Sequence, residues 1–192
     1  MALRNSSNLR VLACIAAVLV ATFPGKAALT STAANARLKF HAQMAATTIY
    51  SDTADAKEEI RQALLKAAAE HKRVILDFGG NWCGDCQVLN IYFHDPGNAG
   101  LLSTNYVLVD VNVGQYDKNL DLAKKYGIPL NKGVPALVVL DGAGHVVYAQ
   151  RNGEFEKMRK LDSSVVTVFL QKWKPGPRTG SGTHPSTHSG GN

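Results

Sequence analysis

Five residues, Val74-Ile75-Leu76-Asp77-Phe78, form an apolar run broken by a single acid, and a cysteine pair, Cys83-Gly84-Asp85-Cys86, follows shortly after it. A run this short and this apolar reads as a strand buried within a sheet. The next segment, residues 83–93, reads as a helix that opens at the first cysteine and is broken by His94-Asp95-Pro96-Gly97-Asn98. A buried strand feeding almost directly into a helix, with both cysteines in the helix's first turn, constrains the fold more than any other feature of the chain.

The flanking segments fit around that unit. Residues 56–71 are rich in helix formers, with Asp52 or Asp55 available as a cap and Ile60, Leu64, Leu65 and Ala68 at helical spacing as the expected buried face. Residues 106–113 alternate as a second strand, and residues 120–126 form a helix stopped by Gly127. Residues 136–140 and 145–149 flank Asp141-Gly142-Ala143-Gly144, a hairpin signal. Residues 165–173 close the domain as an amphipathic helix, with Asp162, Ser163 or Ser164 as its cap. This order predicts an α/β fold: a central mixed β-sheet with helices on both faces, its first connections right-handed parallel crossovers.

At 192 residues there is room for one ordinary domain. The formal charge of +6 would suit nucleic acid, but its distribution does not. All 15 acids lie between Asp52 and Asp162, and the stretch 41–171 holds 13 bases against them, a net of −2. The excess base sits at the ends, and no Lys/Arg cluster interleaved with aromatics occurs in the middle, so no nucleic-acid partner is expected.

Arg4 and Arg10 precede an apolar stretch, residues 11–23, of signal-peptide length. Small residues offer cleavage after Ala27 or Ala36, and an uncleaved N-terminal anchor is the alternative. Residues 1–36 are therefore read as a signal peptide or anchor with its leader, residues 37–174 as the domain, and residues 175–192 as a disordered tail too poor in apolar residues to order itself. Cys14 would leave with the signal, and His184 and His188 in the tail are read as incidental. Export, to a periplasm or beyond, is the expected localisation.

A cysteine pair two residues apart can be redox-active or half of a zinc site. Zinc needs about four ligands, and no second pair accompanies this one; no metal site is expected. The redox reading gains from position, because a thiolate at a helix N-terminus meets unpaired N–H groups and the positive end of the dipole. Cys86, three residues on, turns back toward Cys83. Asp77, on an otherwise apolar strand, is expected to be buried with its pKa raised, and a carboxyl poised in that way can take the proton from Cys86. An edge position facing water is the other reading of Asp77.

The stretch "VILDFGGNWCGDC", together with "KKYGIPLNKGVPALVVLDGAGHVV" downstream, resembles the thioredoxin family over roughly residues 55–173. The resemblance implies a thioredoxin-like fold and a role for each matching residue. Cys83 would be the attacking nucleophile, Cys86 the resolving thiol and Asp77 its proton acceptor. Pro135 would be the cis-proline beside the sulfurs, with Pro129 the second candidate. Trp82, Val134 and Pro135 would face substrate, and Gly84 and Asp85 would tune the redox pair. No cofactor beyond the Cys83–Cys86 disulfide is implied, and the partners would be disulfide-containing proteins.

The chain also departs from the family. Gly79-Gly80 stand where an aromatic residue is common, which is expected to widen the site or loosen the loop. The strand "YVLVDVNV" lacks the lysine that often accompanies the buried aspartate. Asp85 replaces the usual proline: its charge opposes the Cys83 thiolate and so favours a reductant or mild exchanger, or it acts as an N-terminal acid stabilising the helix dipole. The leading expectation is an exported thiol–disulfide oxidoreductase, for which a membrane electron donor is implied. A non-catalytic module holding extended chains at Val134-Pro135, or a Cu(I)-handling protein, are the alternatives. Oligomeric state is not encoded in any pattern here.

Overall fold

The strand expected at Val74 runs from Arg73 to Gly79 (β1), and every residue in it but Arg73 is buried. The computed structural model describes residues 48–177, so the expected signal or anchor with its leader (residues 1–36) and Cys14, the first residues of the expected domain up to 47, and the tail from residue 178 with His184 and His188 lie outside the described residues. β1 is flanked on one side by β2 (Tyr106–Asn112), parallel, and on the other by β3 (Ala136–Leu140), antiparallel; β4 (Val146–Ala149) completes the order β2-β1-β3-β4. Asp77 sits opposite Asp110 on β2 and Leu137 on β3.

Because side chains alternate along a strand, the sheet buries two cores. Val74, Leu76 and Phe78, with Val138 and Leu140, pack against α1 (Ala56–Glu70) and α4 (Leu120–Tyr126). Ile75, Leu137 and Val139 pack against α2 (Gly84–Phe93) and α5 (Ser164–Trp173), joined by α3 (Ala99–Asn105). The sheet is mixed and covered by helices on both faces, the thioredoxin-like arrangement expected from the sequence.

Each helix boundary has a local cause. Asp55 caps α1 by accepting from Lys57 N and Glu58 N, and Gly127 ends α4 in the left-handed conformation at φ 73°. Asp162 Oδ1 accepts from Ser164 N at the start of α5.

The expected buried face of α1 needs correction. The buried stripe of α1 is Ala56, Ile60, Ala63 and Ala67, while Leu65 is 57% exposed and Ala68 faces solvent. At 100° per residue, a stripe through Ile60, Ala63 and Ala67 leaves Leu65 on the far side, so small residues rather than the larger leucine meet the sheet. The expected break at residues 94–98 is a turn, and a further helix that the sequence did not signal, α3, begins directly after it at Ala99. Asn98, fully buried, donates to Tyr92 O (2.8 Å) and Ser163 O (3.3 Å) and accepts from Thr167 Oγ1 (2.6 Å), tying α2, α3 and α5 together. No helix among the described residues is long and apolar enough to cross a membrane.

Candidate active site

β1 ends at Gly79, and a tight turn closed by Cys83 N donating to Gly80 O (3.0 Å) delivers the chain into α2. Cys83 is the N-cap of α2, in extended conformation, and its Sγ accepts from Cys86 N at 3.1 Å. The two sulfurs are joined in a disulfide with a Cα–Cα distance of 5.2 Å. Cys83 is 5% exposed and Cys86 is not exposed at all, so the first sulfur is the one nearer solvent.

The loop before β3 approaches from the other side. Val134-Pro135 is a cis peptide, and Cys83 Sγ lies 3.5 Å from Val134 O. Pro129 instead precedes a 3₁₀ turn, Leu130–Lys132. Gln150, 2% exposed, braces the cis segment: its Nε2 donates to Pro135 O (3.1 Å) and its Oε1 accepts from Leu137 N (3.2 Å). Sequence patterning gave no sign of Gln150, a lone amide after a strand. Trp82 is 46% exposed; its Nε1 donates to Gly114 O, and its ring lies 5.5 Å from that of Tyr116.

The glycines after Phe78 do not open the site. A Cβ at Gly79 would collide with the hydroxyl and ring of Tyr50 and stand 3.0 Å from Cys86 Sγ. One at Gly80 would meet Trp82 Nε1 at 2.6 Å. The space is filled by an aromatic from elsewhere in the chain. Tyr50, fully buried, is held there because Asn81 Oδ1 accepts from Ile49 N (2.9 Å) and Tyr50 N (3.0 Å) while Asn81 Nδ2 donates to Tyr50 O (2.7 Å). Asn112 Nδ2 adds a bond to Ser51 O (3.0 Å). Ile49 and Tyr50, to which the sequence pattern assigned no element, thus supply part of the core. Gly79→Ala is expected to destabilise the fold by about 1–3 kcal/mol, the usual range for overpacking, as a lowered urea midpoint at unchanged slope.

The strand that leads into the disulfide carries one member of a carboxyl pair, Asp77, opposite Asp110 on β2. Asp77 is 1% exposed; its Oδ2 accepts from Tyr50 Oη at 2.8 Å, and its Oδ1 has no hydrogen-bond partner. Asp110, facing it from β2 where the family's lysine is absent, also has an unpartnered buried Oδ1. Burial, then the neighbouring Asp110 charge, hold the Asp77 carboxyl well above the ordinary range, with the Tyr50 bond opposing them. Burial pushes Asp110 up to about 6, with His94 opposing and Glu59 adding to the rise. Burial first, and then Asp77, raise Tyr50 well above an ordinary phenol, which keeps its proton in place as a donor.

Asp85, in the first turn of α2, does not stand alone. Its Oδ1 accepts from Arg159 N (2.9 Å), and its Oδ2 from Arg159 Nε (3.1 Å) and Nη2 (3.0 Å). The same guanidinium covers Gly84: a Cβ there would lie 3.5 Å from Arg159 Cζ. Nothing local marks Arg159, 74 residues away, as a partner of the cysteine motif.

A sheet of this order with a cysteine pair at a helix N-terminus, a cis-proline loop against the first sulfur and a buried aspartate on the preceding strand defines a dithiol–disulfide site of thioredoxin type. Residues 53–142 match the family described as Thioredoxin-like. A disulphide isomerase from Xylella fastidiosa Temecula1 is 34% identical, covering 66% of this chain and 97% of that one, with a TM-score of 0.64. The thiol:disulfide interchange protein DsbD of Colwellia psychrerythraea is 24% identical over 113 residues, and mouse thioredoxin is 42% identical over 59. The matched parts make up 18% of that DsbD and 51% of that thioredoxin, against 58% and 31% of this chain. The chain belongs to the thioredoxin-like family.

Proposed function

We propose that the protein is an exported thiol–disulfide oxidoreductase that reduces or exchanges disulfides in other proteins through Cys83 and Cys86, with no cofactor beyond that pair. The observation that carries this reading is the placement of the Cys83–Cys86 disulfide at the N-terminus of α2, with Cys83 Sγ beside Val134 O and the Asp77 carboxyl buried on the strand before it. The names of the two relatives, disulphide isomerase and thiol:disulfide interchange protein, agree with exchange chemistry.

In the reduced protein the Cys86 N–H and the dipole of α2 favour the Cys83 thiolate. That thiolate attacks one sulfur of a substrate disulfide; a Cys83–substrate bond forms and the other substrate sulfur leaves as a thiolate. Cys86 then loses its proton to Asp77 and attacks Cys83 Sγ. The Cys83–Cys86 bond forms, the second substrate thiolate leaves, and two electrons have passed from the dithiol to the substrate. Val134 and Pro135 would hold the substrate as an extended segment, with Trp82 beside them. The apolar stretch 11–23 behind Arg4 and Arg10 supports export. A reductase acting in an oxidising compartment needs an electron source, and a membrane donor is the one proposed.

Asp85 and Arg159 form a paired unit beside Cys83, so the carboxylate's opposition to the thiolate is largely neutralised; this supports a mild exchanger over a strong reductant. Arg159→Gln is expected to raise the Cys83 pKa by a few tenths of a unit and lower the reduction potential by on the order of 10 mV, while Asp85→Asn moves both the other way. Glutathione equilibration with pH-dependent alkylation measures both quantities.

The function itself is tested with the full chain in insulin reduction by dithiothreitol. The expected result is faster insulin precipitation than with dithiothreitol alone. A rate equal to the dithiothreitol background would contradict it.

A further inference from the structure

Two polar atoms converge on the side of Gly79 that carries no side chain: Cys86 Sγ, and the hydroxyl of Tyr50. Residues two apart on a strand face the same way, so Asp77 shares this side of the sheet, and Tyr50 Oη donates to its Oδ2 at 2.8 Å. The phenol thus bonds the carboxyl and shares with the resolving sulfur the open side of Gly79. Fixing Oδ2 leaves Oδ1, which has no partner, as the oxygen open to a proton.

We propose that Tyr50 is a positioning residue for the resolving step, holding Asp77 so that its free oxygen takes the proton of Cys86. This rests on the oxidoreductase reading above and adds a residue that the cysteine motif does not contain. In the step concerned, the Cys86 S–H bond breaks and its proton goes to Asp77 Oδ1. The electron pair left on Cys86 Sγ forms the bond to Cys83 Sγ, and the substrate sulfur departs with the pair of the broken mixed disulfide.

The location of Tyr50 is built rather than incidental. Two hydrogen bonds to Asn81 fix its backbone and a third holds Ile49 beside it, and the absence of a side chain at Gly79 is what admits its ring. Burial of a tyrosine in this manner also leaves its hydroxyl needing a partner, and Asp77 is the one it has. Donation to a carboxylate favours the ionised form, so the phenol offsets part of the penalty that burial and Asp110 impose on Asp77. The groups acting on the carboxyl are Tyr50 from the segment before α1 and Asp110 from β2, with Cys86 of α2 on the same side of Gly79; Asp110 in turn feels His94 at the end of α2 and Glu59 on α1. The observed midpoint belongs to the Asp77–Asp110 pair rather than to one residue.

Tyr50→Phe removes the hydroxyl and keeps the ring. Without the donor, Asp77 holds its proton to higher pH and accepts the Cys86 proton less readily near neutrality. The test mixes the reduced full chain with one equivalent of an aromatic disulfide whose thiolate absorbs visible light. Cys83 attack releases the first thiolate and Cys86 closure the second, each followed across pH by stopped flow. In Tyr50→Phe the second phase is expected to slow by about tenfold near neutral pH, with its midpoint moved about one unit upward, and the first phase to stay within about twofold. A second phase unchanged in rate and midpoint would overturn the proposal while leaving the oxidoreductase reading intact. No thiolate release from the unsubstituted protein would instead overturn that reading, and with it the role assigned to Tyr50.

A loss of packing would also slow the enzyme, so a second comparison isolates the role. In an Asp77→Asn background, Tyr50→Phe should leave the second phase unchanged, because the phenol acts through the carboxyl. A further tenfold loss in that background would show that Tyr50 acts by some other route and would overturn the proposal.

Discussion

Cys86→Ser is expected to lower turnover in insulin reduction by at least about 100-fold while leaving Cys83 able to attack. Cys83 caps α2 and is the one residue of the pair with any solvent exposure, whereas Cys86 is wholly enclosed. A serine in the enclosed position keeps the volume and loses the nucleophile, so the reaction stops at the Cys83–substrate disulfide. The variant should accumulate mixed disulfides with protein partners, visible as dithiothreitol-sensitive bands on non-reducing gels. Cys83→Ser should lose turnover to the same extent and trap nothing. Equal trapping by both variants would mean that either sulfur can reach substrate, against the enclosure seen for Cys86.

Asp77→Asn should produce a more stable and less active protein. The folded-state pKa of Asp77 is raised above that of the unfolded chain, so the wild type keeps its full stability only below the unfolded value near pH 4 and loses stability as pH rises through the folded value. The amide has no such charge. The stability difference between variant and wild type should be near zero at about pH 4 and grow to on the order of 3 kcal/mol at about pH 8, the scale of removing an uncompensated buried charge. Asp110, with its carboxyl pushed up to about 6, leaves some of the same pH dependence in the variant. Resolution by Cys86 should slow about 100-fold, within the range for loss of a general base. Urea melts at several pH values measure the first effect and single-turnover thiolate release the second. A variant less stable than wild type at pH 8 would show that Asp77 is ionised and satisfied by groups other than Tyr50.

What could be read from the sequence was what neighbours in the chain determine. The strand at Val74, the helix beginning at the cysteines, the Gly127 stop and the hairpin at Asp141 each follow from a local pattern, and Cys83, Cys86 and Val134-Pro135 meet because that succession of elements brings them together. The features without a local pattern depend on contacts across the chain. Tyr50 is a single aromatic in a featureless segment, and only the missing side chain at Gly79 shows that it has somewhere to go. Arg159 reaches Asp85 from a 3₁₀ turn after β4. Asp110 reads as one polar residue in an alternating strand, and pairing in register with Asp77 is what buries its carboxyl. α3 was hidden because Ala99–Asn105 is short and its Asn98 cap makes no side-chain bond to the helix; that amide instead binds α2 and α5. Leu65 misled because helical spacing locates a stripe but does not say which of two adjacent stripes meets the sheet.

The proposed order is attack by Cys83 followed by resolution by Cys86. Mass spectrometry of the reduced full chain, quenched with acid at successive times after mixing with one equivalent of a disulfide-linked peptide, follows both steps in one experiment. A transient adduct carried on Cys83 alone is expected, decaying into the Cys83–Cys86 disulfide as one peptide disulfide is consumed for each chain oxidised. An adduct on Cys86, or a chain that remains a dithiol while the peptide stays oxidised, would contradict it.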